Sequence, residues 1–259
     1  MLDDVIDLHC HVLPGIDDGP ETLEGSLELA RAARAAGIDT LVATPHVSSH
    51  YPNDADTIAA ALSALRARLR EERVELSVLP GAEVAITHVP EIDAAQLPRL
   101  GLGGGPWLLV EPPFALVAPG LEQMLLGLRR AGHGIVLAHP ERCPVFQRDR
   151  KLLESLVEAG MLVSITAGSL SGRFGGEVRR YALELVRGGL VHNVTSDAHD
   201  VTKRPPGLAE ALAQAGLDPL AEWLTRAVPE AILAGEDIPE RPAGPRAPGR
   251  GWRGRLGRR

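Results

Sequence analysis

The sequence predicts an α/β protein whose parallel strands form a distorted (β/α)7 TIM-like barrel. Short apolar runs alternate with amphipathic stretches along the chain, a pattern typical of strands joined by right-handed helical crossovers. The length of 259 residues fits one large barrel, and 44% hydrophobic residues with only 3% aromatics suit an aliphatic core. Histidines or carboxylates follow nearly every strand, which favours strand ends arranged in a ring. An open doubly wound sheet is the alternative, but it gathers functional groups at one switch point.

Seven strands are predicted, each from a short apolar run, and an eighth is not visible. They are 5–8, 40–43, 76–79, 107–110, 135–138, 162–166 and 194–196. The first helix covers 21–36 and ends at Gly37, with Leu23 and Leu27 at helical spacing. The second helix, 54–72, is rich in Ala, Leu and Arg. The segment 90–105 is a loop with short helical potential, and the later helices are 121–131, 148–159, 177–188, 207–215 and 218–233.

The chain divides into a barrel domain, 1–238, and a tail rich in Arg, Pro and Gly, 239–259, which is predicted to be disordered. The formal net charge is −7, but seven arginines and no acidic residue follow residue 240. The rest therefore carries 20 basic against 34 acidic residues, a balance of −14. An acidic body argues against nucleic-acid binding. Two roles stay open for the tail: a solvated segment without a specific partner, or weak attraction to an anionic lipid or polymer.

The sequence carries no sign of export or membrane insertion. Two cysteines, Cys10 and Cys143, do not suggest a disulfide framework. No apolar run reaches the roughly 18 residues of a membrane span, and the acidic N-terminus does not resemble a signal peptide. We therefore expect a cytoplasmic protein without a transmembrane segment.

Paired polar residues with one intervening position stand after the first and the last strand. His9 and His11 fall on one face of an extended segment, so both imidazoles can chelate one ion if that face points into the barrel. Cys10 then points the other way, as a small packing residue. Asp197 and His199 repeat this spacing after the last strand. Both ends of the domain are thus expected to supply metal ligands.

Further candidate ligands lie after the intervening strands, and these are Asp18, His46, Glu83, Glu111 and His139. A carboxylate at the end of an apolar run is costly to bury unless it is paired or metal-bound. Asp17 is interpreted as a turn or helix-cap residue and Asp18 as the ligand, although the choice between these neighbours stays open. Five histidines and four carboxylates would suit three Zn-, Mn- or Fe-type ions if one carboxylate bridges two of them. The remaining histidines are interpreted as surface or packing residues: His50, His88, His133 and His192.

These motifs resemble the polymerase and histidinol phosphatase (PHP) superfamily, with its His-x-His after the first strand and its Asp-x-His near the end. Within it, the chain is most similar to the capsular-polysaccharide-type protein-tyrosine phosphatases of bacteria, over about residues 3 to 235. The matching segments are 7–20, 43–46, 81–83, 139–142 and 196–199. The resemblance implies the PHP fold and a centre of three divalent ions, with manganese expected first and iron or zinc as alternatives.

The resemblance also implies how the ions are held. His9, His11, Glu83 and Asp197 would hold one ion, and Glu83 would bridge to a second. Glu111 and His139 would complete that second site, and the third ion would be held by Asp18, His46 and His199.

The implied reaction is hydrolysis of phosphotyrosine by attack of metal-bound hydroxide on phosphorus, with Arg142 and Arg204 neutralising the phosphoryl oxygens. The implied partner is the tyrosine-rich tail of a membrane-associated bacterial kinase that controls exopolysaccharide export. The sequence next to His46 and Arg142 departs from this picture, because more aromatic or basic residues are expected around a phosphotyrosine.

Four other functions are alternatives. They are another PHP phosphoesterase such as histidinol-phosphate phosphatase, an exonuclease, an amidohydrolase, and a barrel with purely structural metals. The oligomeric state is left open, with a homo-oligomer among the options.

Overall fold

Parallel strands joined by helices make up residues 4–242, the part of the chain that the computed structural model describes. Every predicted strand is present, with ends within two residues of the prediction, and two short strands are additional. The nine are β1 Val5–Cys10, β2 Ile38–Ala43, β3 His46–Val47, β4 Ser77–Pro80, β5 Glu83–Ala85, β6 Trp107–Glu111, β7 Gly134–Ala138, β8 Leu162–Thr166 and β9 Asn193–Thr195. The predicted parallel α/β class is confirmed.

The strands form two parallel sheets rather than one uninterrupted sheet. Three strands pair in the order β1-β2-β4, and six pair in the order β3-β5-β6-β7-β8-β9. The second and third predicted strands, β2 and β4, are each followed after a short break by an additional strand in the other sheet, which the prediction did not anticipate. Pro45 stands in the first break and lacks the N–H that a continuous ladder needs. Gly81 stands in the second, where a Cβ would come within 2.7 Å of the Val42 side chain.

The two breaks lie at equivalent positions, so the chain resumes in register after them. Ala43 pairs with Pro80 before the breaks, and His46 pairs with Glu83 after them. Because paired residues in adjacent strands lie side by side, two predicted ligands become neighbours.

Backbone contacts also bring the two ends of the domain together. Cys10 and Ala198 form an isolated parallel bridge, in which the His11 N–H donates to the Ala198 carbonyl at 2.8 Å. The Asp197 N–H donates in turn to the His9 carbonyl at 2.9 Å. The His-x-His and Asp-x-His motifs therefore lie beside each other, although they are almost 190 residues apart in sequence.

Ten α-helices are found in the described residues, most of them where amphipathic stretches were predicted. They are α1 Leu23–Ala35, α2 Ala55–Glu71, α3 Leu121–Arg130, α4 Pro144–Arg148, α5 Arg150–Glu158, α6 Ala167–Ser171, α7 Gly176–Arg187, α8 Ala209–Gln214, α9 Asp218–Glu222 and α10 Val228–Ala234. Thr22 caps α1 and Asp54 caps α2 through side-chain bonds to backbone N–H groups. The predicted helix 148–159 begins instead at residue 150, because Asp149 breaks from α4 and caps α5. A π-helical turn, Trp223–Ala227, joins α9 to α10.

The core lies between the sheets and the surrounding helices, and all residues of β1, β7 and β8 are buried. No helix in the described range is long and apolar enough to cross a membrane. Of the predicted tail, residues 243–259 lie outside the described residues. Its first residues are described and contact the body: the Trp223 indole N–H donates to the Pro239 carbonyl at 3.0 Å, and Arg241 donates to the Val186 carbonyl at 2.8 Å.

Candidate metal centre

The nine predicted ligands converge at the ends of the strands that carry them. They are His9 in β1, His11 just after it, Asp18 in the following loop, His46 in β3, Glu83 in β5, Glu111 at the end of β6, His139 after β7, and Asp197 and His199 after β9. All nine occur in groups whose ligand atoms lie within 4.8 Å of one another. The four groups are His11–Asp18–His46–His199, His9–His11–Glu83, His9–His139–Asp197 and His46–Glu83–Glu111.

Glu83 lies at the middle of this cluster, with its side chain 1% exposed. Its Oε2 is 3.3 Å from Nε2 of His9, 3.4 Å from Nε2 of His11 and 3.0 Å from Nδ1 of His46. Its Oε1 is 2.8 Å from Nε2 of His139. Although it is buried, Oε2 has no hydrogen-bond partner of good geometry. A carboxylate oxygen that faces three imidazole nitrogens in this way suits a shared cation.

The two histidines of the first motif present their Nε2 atoms to each other at 3.1 Å. Nδ1 of His11 is 2.7 Å from Oδ2 of Asp17, so the proton lies on Nδ1 and Nε2 is free to bind a cation. Asp17 also accepts the backbone N–H groups of Gly19 at 3.0 Å and His46 at 3.2 Å. From the sequence, Asp17 is interpreted as a turn or helix-cap residue. Its bond to the Gly19 N–H is typical of a turn, whereas its contact with His11 is not revealed by the sequence.

Asp18 points to the other side of the cluster. Its Oδ1 is 3.4 Å from Nε2 of His46 and 3.2 Å from Nε2 of His199. The side chain is 44% exposed. Of the two neighbouring acids, Asp18 is thus the one grouped with other candidate ligands, while Asp17 supports one of them.

Asp197 connects the candidate ligands to the two predicted arginines. Its Oδ1 is 3.4 Å from Nε2 of His9 and 3.5 Å from that of His11. Its Oδ2 accepts from both Arg142 and Arg204 at 2.5 Å. Arg204 also lies 3.0 Å from Nε2 of His199. Two guanidinium groups therefore border the cluster on one side.

The cluster shifts the pKa values of its groups in different directions, and burial lowers those of His139 and His199. Burial raises the pKa of Glu83, but the nearby imidazoles outweigh it and hold that pKa well below its ordinary value. Asp197 follows the same pattern, again against the effect of burial. Burial lowers the pKa of His46, yet its contacts with Asp18 and Glu83 raise it to about 10. Burial, reinforced by the charge of Glu83, raises the pKa of Glu111 to about 7. A divalent cation that binds the His46 imidazole would displace its proton.

Backbone strain is concentrated in two of these residues. His139 has φ 34° and Asp197 has φ 51°, values that side chains with a Cβ rarely adopt. Only two other non-glycine residues in the described range, Asp4 and Arg73, share a positive φ. Such strain is typical of functional sites, where surrounding contacts hold the unfavourable conformation.

Two buried acids near the cluster were not singled out from the sequence. Asp7 accepts the N–H groups of His9 at 3.3 Å and Ser196 at 3.0 Å, and burial raises its pKa to about 6. Glu141 accepts the N–H of Thr166 at 3.0 Å and the Ser169 hydroxyl at 2.6 Å. Asp7 links β1 to Ser196 beside Asp197, and Glu141 links the segment after His139 to the start of α6. The feature of the sequence that could have identified these two acids is a carboxylate inside or next to an apolar strand.

Aromatic side chains surround the cluster, although the sequence next to His46 and Arg142 lacked most of them. The Tyr51 ring stacks on His46 with centroids 5.6 Å apart. The Phe114 ring lies 5.5 Å from that of His139, and Phe174 lies 4.3 Å from the guanidinium carbon of Arg142. Phe114 and Phe174 come from loops distant in sequence, so local inspection could not find them. The histidines interpreted as surface or packing residues are absent from the four ligand groups: His50, His88, His133 and His192.

A cleft of about 240 Å³ opens beside Asp197 and Arg204. It lies between α6 and α8, and Phe174 and Glu210 are among its lining residues. The cleft provides room for the part of a substrate that extends away from the arginines.

Comparison with known proteins identifies the family of this chain. The model of the family described as "Capsular polysaccharide synthesis, CpsB/CapC" matches residues 5–217. Tyrosine-protein phosphatase YwqE of Bacillus subtilis is 41% identical over 209 residues, covering 80% of this chain and 82% of that one. Putative tyrosine-protein phosphatase CapC of Staphylococcus aureus is 31% identical over 202 residues, covering 78% and 79%.

Solved structures show the same relationship. A structure from the pair YwqE of Bacillus subtilis and CpsB of Streptococcus pneumoniae, described as metal-dependent tyrosine phosphatases, has a TM-score of 0.80. It is 35% identical and covers 93% of this chain and 100% of its own. An inactive dihydroorotase-like domain from Chaetomium thermophilum has a TM-score of 0.57 at 14% identity, covering 91% of this chain and 80% of its own, and shares the fold alone. The family model and these identities establish that the chain belongs to the CpsB/CapC capsular polysaccharide synthesis family.

Proposed function

We propose that this protein is a metal-dependent protein-tyrosine phosphatase. Its substrate would be phosphotyrosine on a bacterial tyrosine kinase that regulates capsular or exopolysaccharide synthesis. The observation that carries the proposal is the convergence of nine candidate ligands around Glu83, bordered by two arginines that meet at Asp197. The curated relatives of the chain are named tyrosine-protein phosphatases, which supports the same activity.

Three divalent ions are proposed at the cluster, with manganese first and iron or zinc as alternatives. The donor set fits, because imidazole nitrogens and carboxylate oxygens suit all three metals and because Glu83 Oε2 is buried without a hydrogen-bond partner. His11 appears both with Asp18 and with Glu83, which differs from the grouping implied by the resemblance. The division of ligands among ions therefore stays a prediction. When bound, such ions supply the Lewis acidity that makes water a nucleophile near neutral pH.

The side chains of the protein would position the phosphate for this attack. Arg142 and Arg204 offer forks of N–H donors matched to phosphoryl oxygens, and both are only partly exposed. Both currently donate to Asp197, so that carboxylate holds them in place before substrate arrives. A tyrosine leaving group has a pKa near 10, so it needs less protonation than an alkyl alcohol.

We further propose the distorted (β/α)7 barrel of the PHP fold. The seven strand positions and the bridge between Cys10 and Ala198 support it, since that bridge connects β1 with the segment that follows the last strand, β9. The proposed domain boundary remains 1–238. The proposed compartment is the cytoplasm, where a kinase has ATP.

The test is hydrolysis of a phosphotyrosine peptide and of histidinol phosphate, with added manganese and with a chelator. Turnover of the peptide that the chelator abolishes, with little on histidinol phosphate, is the expected result. The opposite preference would assign the protein to another phosphoesterase activity of the superfamily. His9→Ala and Asp197→Ala should abolish turnover while the protein still folds. His133→Ala, which changes a histidine outside the ligand groups, is the matched control. Wild-type rates and metal content in the first two variants would contradict the site assignment.

A further inference from the structure

We infer that Phe114 and Phe174 form an aromatic rim that receives the phenyl ring of the substrate and selects aryl over alkyl phosphate monoesters. This inference rests on the proposed phosphatase function and assigns its specificity to two residues. It begins from the scarcity of aromatic side chains. The chain has three phenylalanines, of which Phe146 is fully buried in the core. The other two lie at the same arginine.

The geometry places both rings where the ester group of a bound phosphate would extend. The guanidinium carbon of Arg142 is 4.3 Å from the Phe174 ring centroid and 5.4 Å from that of Phe114. Both distances are within the range of cation–π attraction. Because Arg142 is a candidate phosphate ligand, the rings lie one side chain away from the phosphoryl group. The phenyl ring of phosphotyrosine begins at the ester oxygen, whereas the carbon chain of phosphoserine is too short to fill this space.

Phe114 has the exposure of a binding residue rather than a packing residue. It is 51% exposed, while its ring stacks on that of His139 at 5.5 Å with an interplanar angle of 29°. An exposed ring held in a fixed orientation can accept a second ring by offset stacking. Pro112 and Pro113 separate it from Glu111, a candidate ligand, and restrict the backbone between them. The rim is thereby tied to the metal centre.

Phe174 lies at the cleft beside Asp197 and Arg204. It lines this cleft of about 240 Å³ together with Gly168, where a Cβ would come within 3.1 Å of the Phe174 ring. Glycine at residue 168 thus leaves the space that the Phe174 ring occupies. A peptide that enters through the cleft would pass this ring before its phosphate reaches the arginines.

The experiment compares kcat/KM for one peptide carrying phosphotyrosine or phosphoserine, using the manganese-loaded full chain. Phe114→Ala should lower kcat/KM for phosphotyrosine roughly 3- to 10-fold through KM, the range of one aromatic pair, and leave phosphoserine unchanged. Phe114→Trp should keep the preference for phosphotyrosine, and Phe114→Leu should lose it. Leu116→Ala is the matched control, since it removes a 60% exposed apolar side chain from the same loop. Because Phe174 also contacts Arg142, the Phe174→Ala variant is judged by the ratio of kcat/KM for the two peptides.

Several results would overturn the inference. They are an unchanged aryl-to-alkyl ratio in both the Phe114→Ala and Phe174→Ala variants, an equal loss in Leu116→Ala, or a wild-type protein that does not distinguish the two peptides. A turnover-independent measurement separates this inference from the proposed function. Calorimetric binding of phenylphosphonate and methylphosphonate to the metal-loaded protein should favour the phenyl compound in wild type and not in Phe114→Ala. Equal affinities in wild type would refute the rim even if the protein is inactive. If the protein hydrolyses phosphotyrosine but binds the two phosphonates with equal affinity, the aromatic rim is refuted and the proposed phosphatase function is not.

Discussion

Asp17 and Asp18 are adjacent acids with different contacts, and replacing each by asparagine separates a positioning role from a ligand role. Asp17 accepts from Nδ1 of His11 at 2.7 Å and from the N–H groups of Gly19 and His46. In Asp17→Asn one oxygen becomes an NH2 group, which then faces a donor. Asp18 has no such backbone bonds and points at His46 and His199.

The expected magnitude follows from the contact that is lost. A buried hydrogen bond to a charged group contributes about 1.5–3 kcal/mol, and partners that orient a metal-binding histidine affect metal affinity roughly 10- to 100-fold. Asp17→Asn should therefore weaken metal binding by roughly 10- to 100-fold and keep the full number of ions. Asp18→Asn should instead lose one equivalent, because it removes a ligand.

The assay is metal content after dialysis, by elemental mass spectrometry, combined with a competition titration against a chelating dye. Asp56→Asn is the control, since Asp56 is an exposed acid of α2 paired with Arg99. Wild-type affinity in Asp17→Asn would refute the positioning role. Loss of one equivalent in Asp17→Asn, with full content in Asp18→Asn, would show that the two roles are exchanged.

Three further predictions concern phosphate binding, packing and pH. Arg204→Lys should lower kcat/KM by roughly 10²- to 10³-fold with unchanged metal content, because lysine cannot replace a fork of donors; an unchanged rate would contradict its role. Gly81→Ala should lower the melting temperature, since its Cβ would lie 2.7 Å from the Val42 side chain, and should cost about 1–3 kcal/mol of unfolding free energy. Burial lowers the pKa of His192 from 6.5 to about 4, while its Nδ1 accepts the Val163 N–H. The unfolded chain then binds a proton that the folded protein excludes, so the contribution of His192 to stability is full above pH 6.5 and falls between pH 6.5 and 4, by at most about 3 kcal/mol. The melting-temperature advantage of wild type over His192→Gln should shrink from pH 7.5 to pH 5, and a constant difference would contradict this.

The sequence predicted the strands well because they depend on local patterns, and the residues it singled out as candidate ligands lie close together in the structure. Strand β8 was predicted to the residue, since Leu162–Thr166 is an apolar run bounded by turn residues. Strands β3 and β5 were missed because two or three residues are too short to show periodicity. The break at Asp149 was missed because its capping of α5 competes with a continuous amphipathic pattern.

The parts of the site that escaped prediction depend on contacts between distant segments. Asp17 looked like a turn residue because its bond to Gly19 is local, whereas its contact with His11 follows from the path of the loop. Phe114 and Phe174 lie 60 residues apart and meet only through Arg142. Sequence spacing carries no information about such contacts, so the surroundings of the candidate ligands could not be predicted.

The arrangement around Glu83 explains why metal binding and local stability should be coupled. Burying ionised groups is costly unless they are well paired, and here a carboxylate oxygen faces imidazoles without a good hydrogen bond. Strained backbone at His139 and Asp197 adds to that cost. These unfavourable features lie together at one end of parallel strands whose own residues are fully buried, as in β1 and β7. The rigid strands therefore hold the ligands in place, and ions bound at the cluster would offset the electrostatic cost that the strands impose.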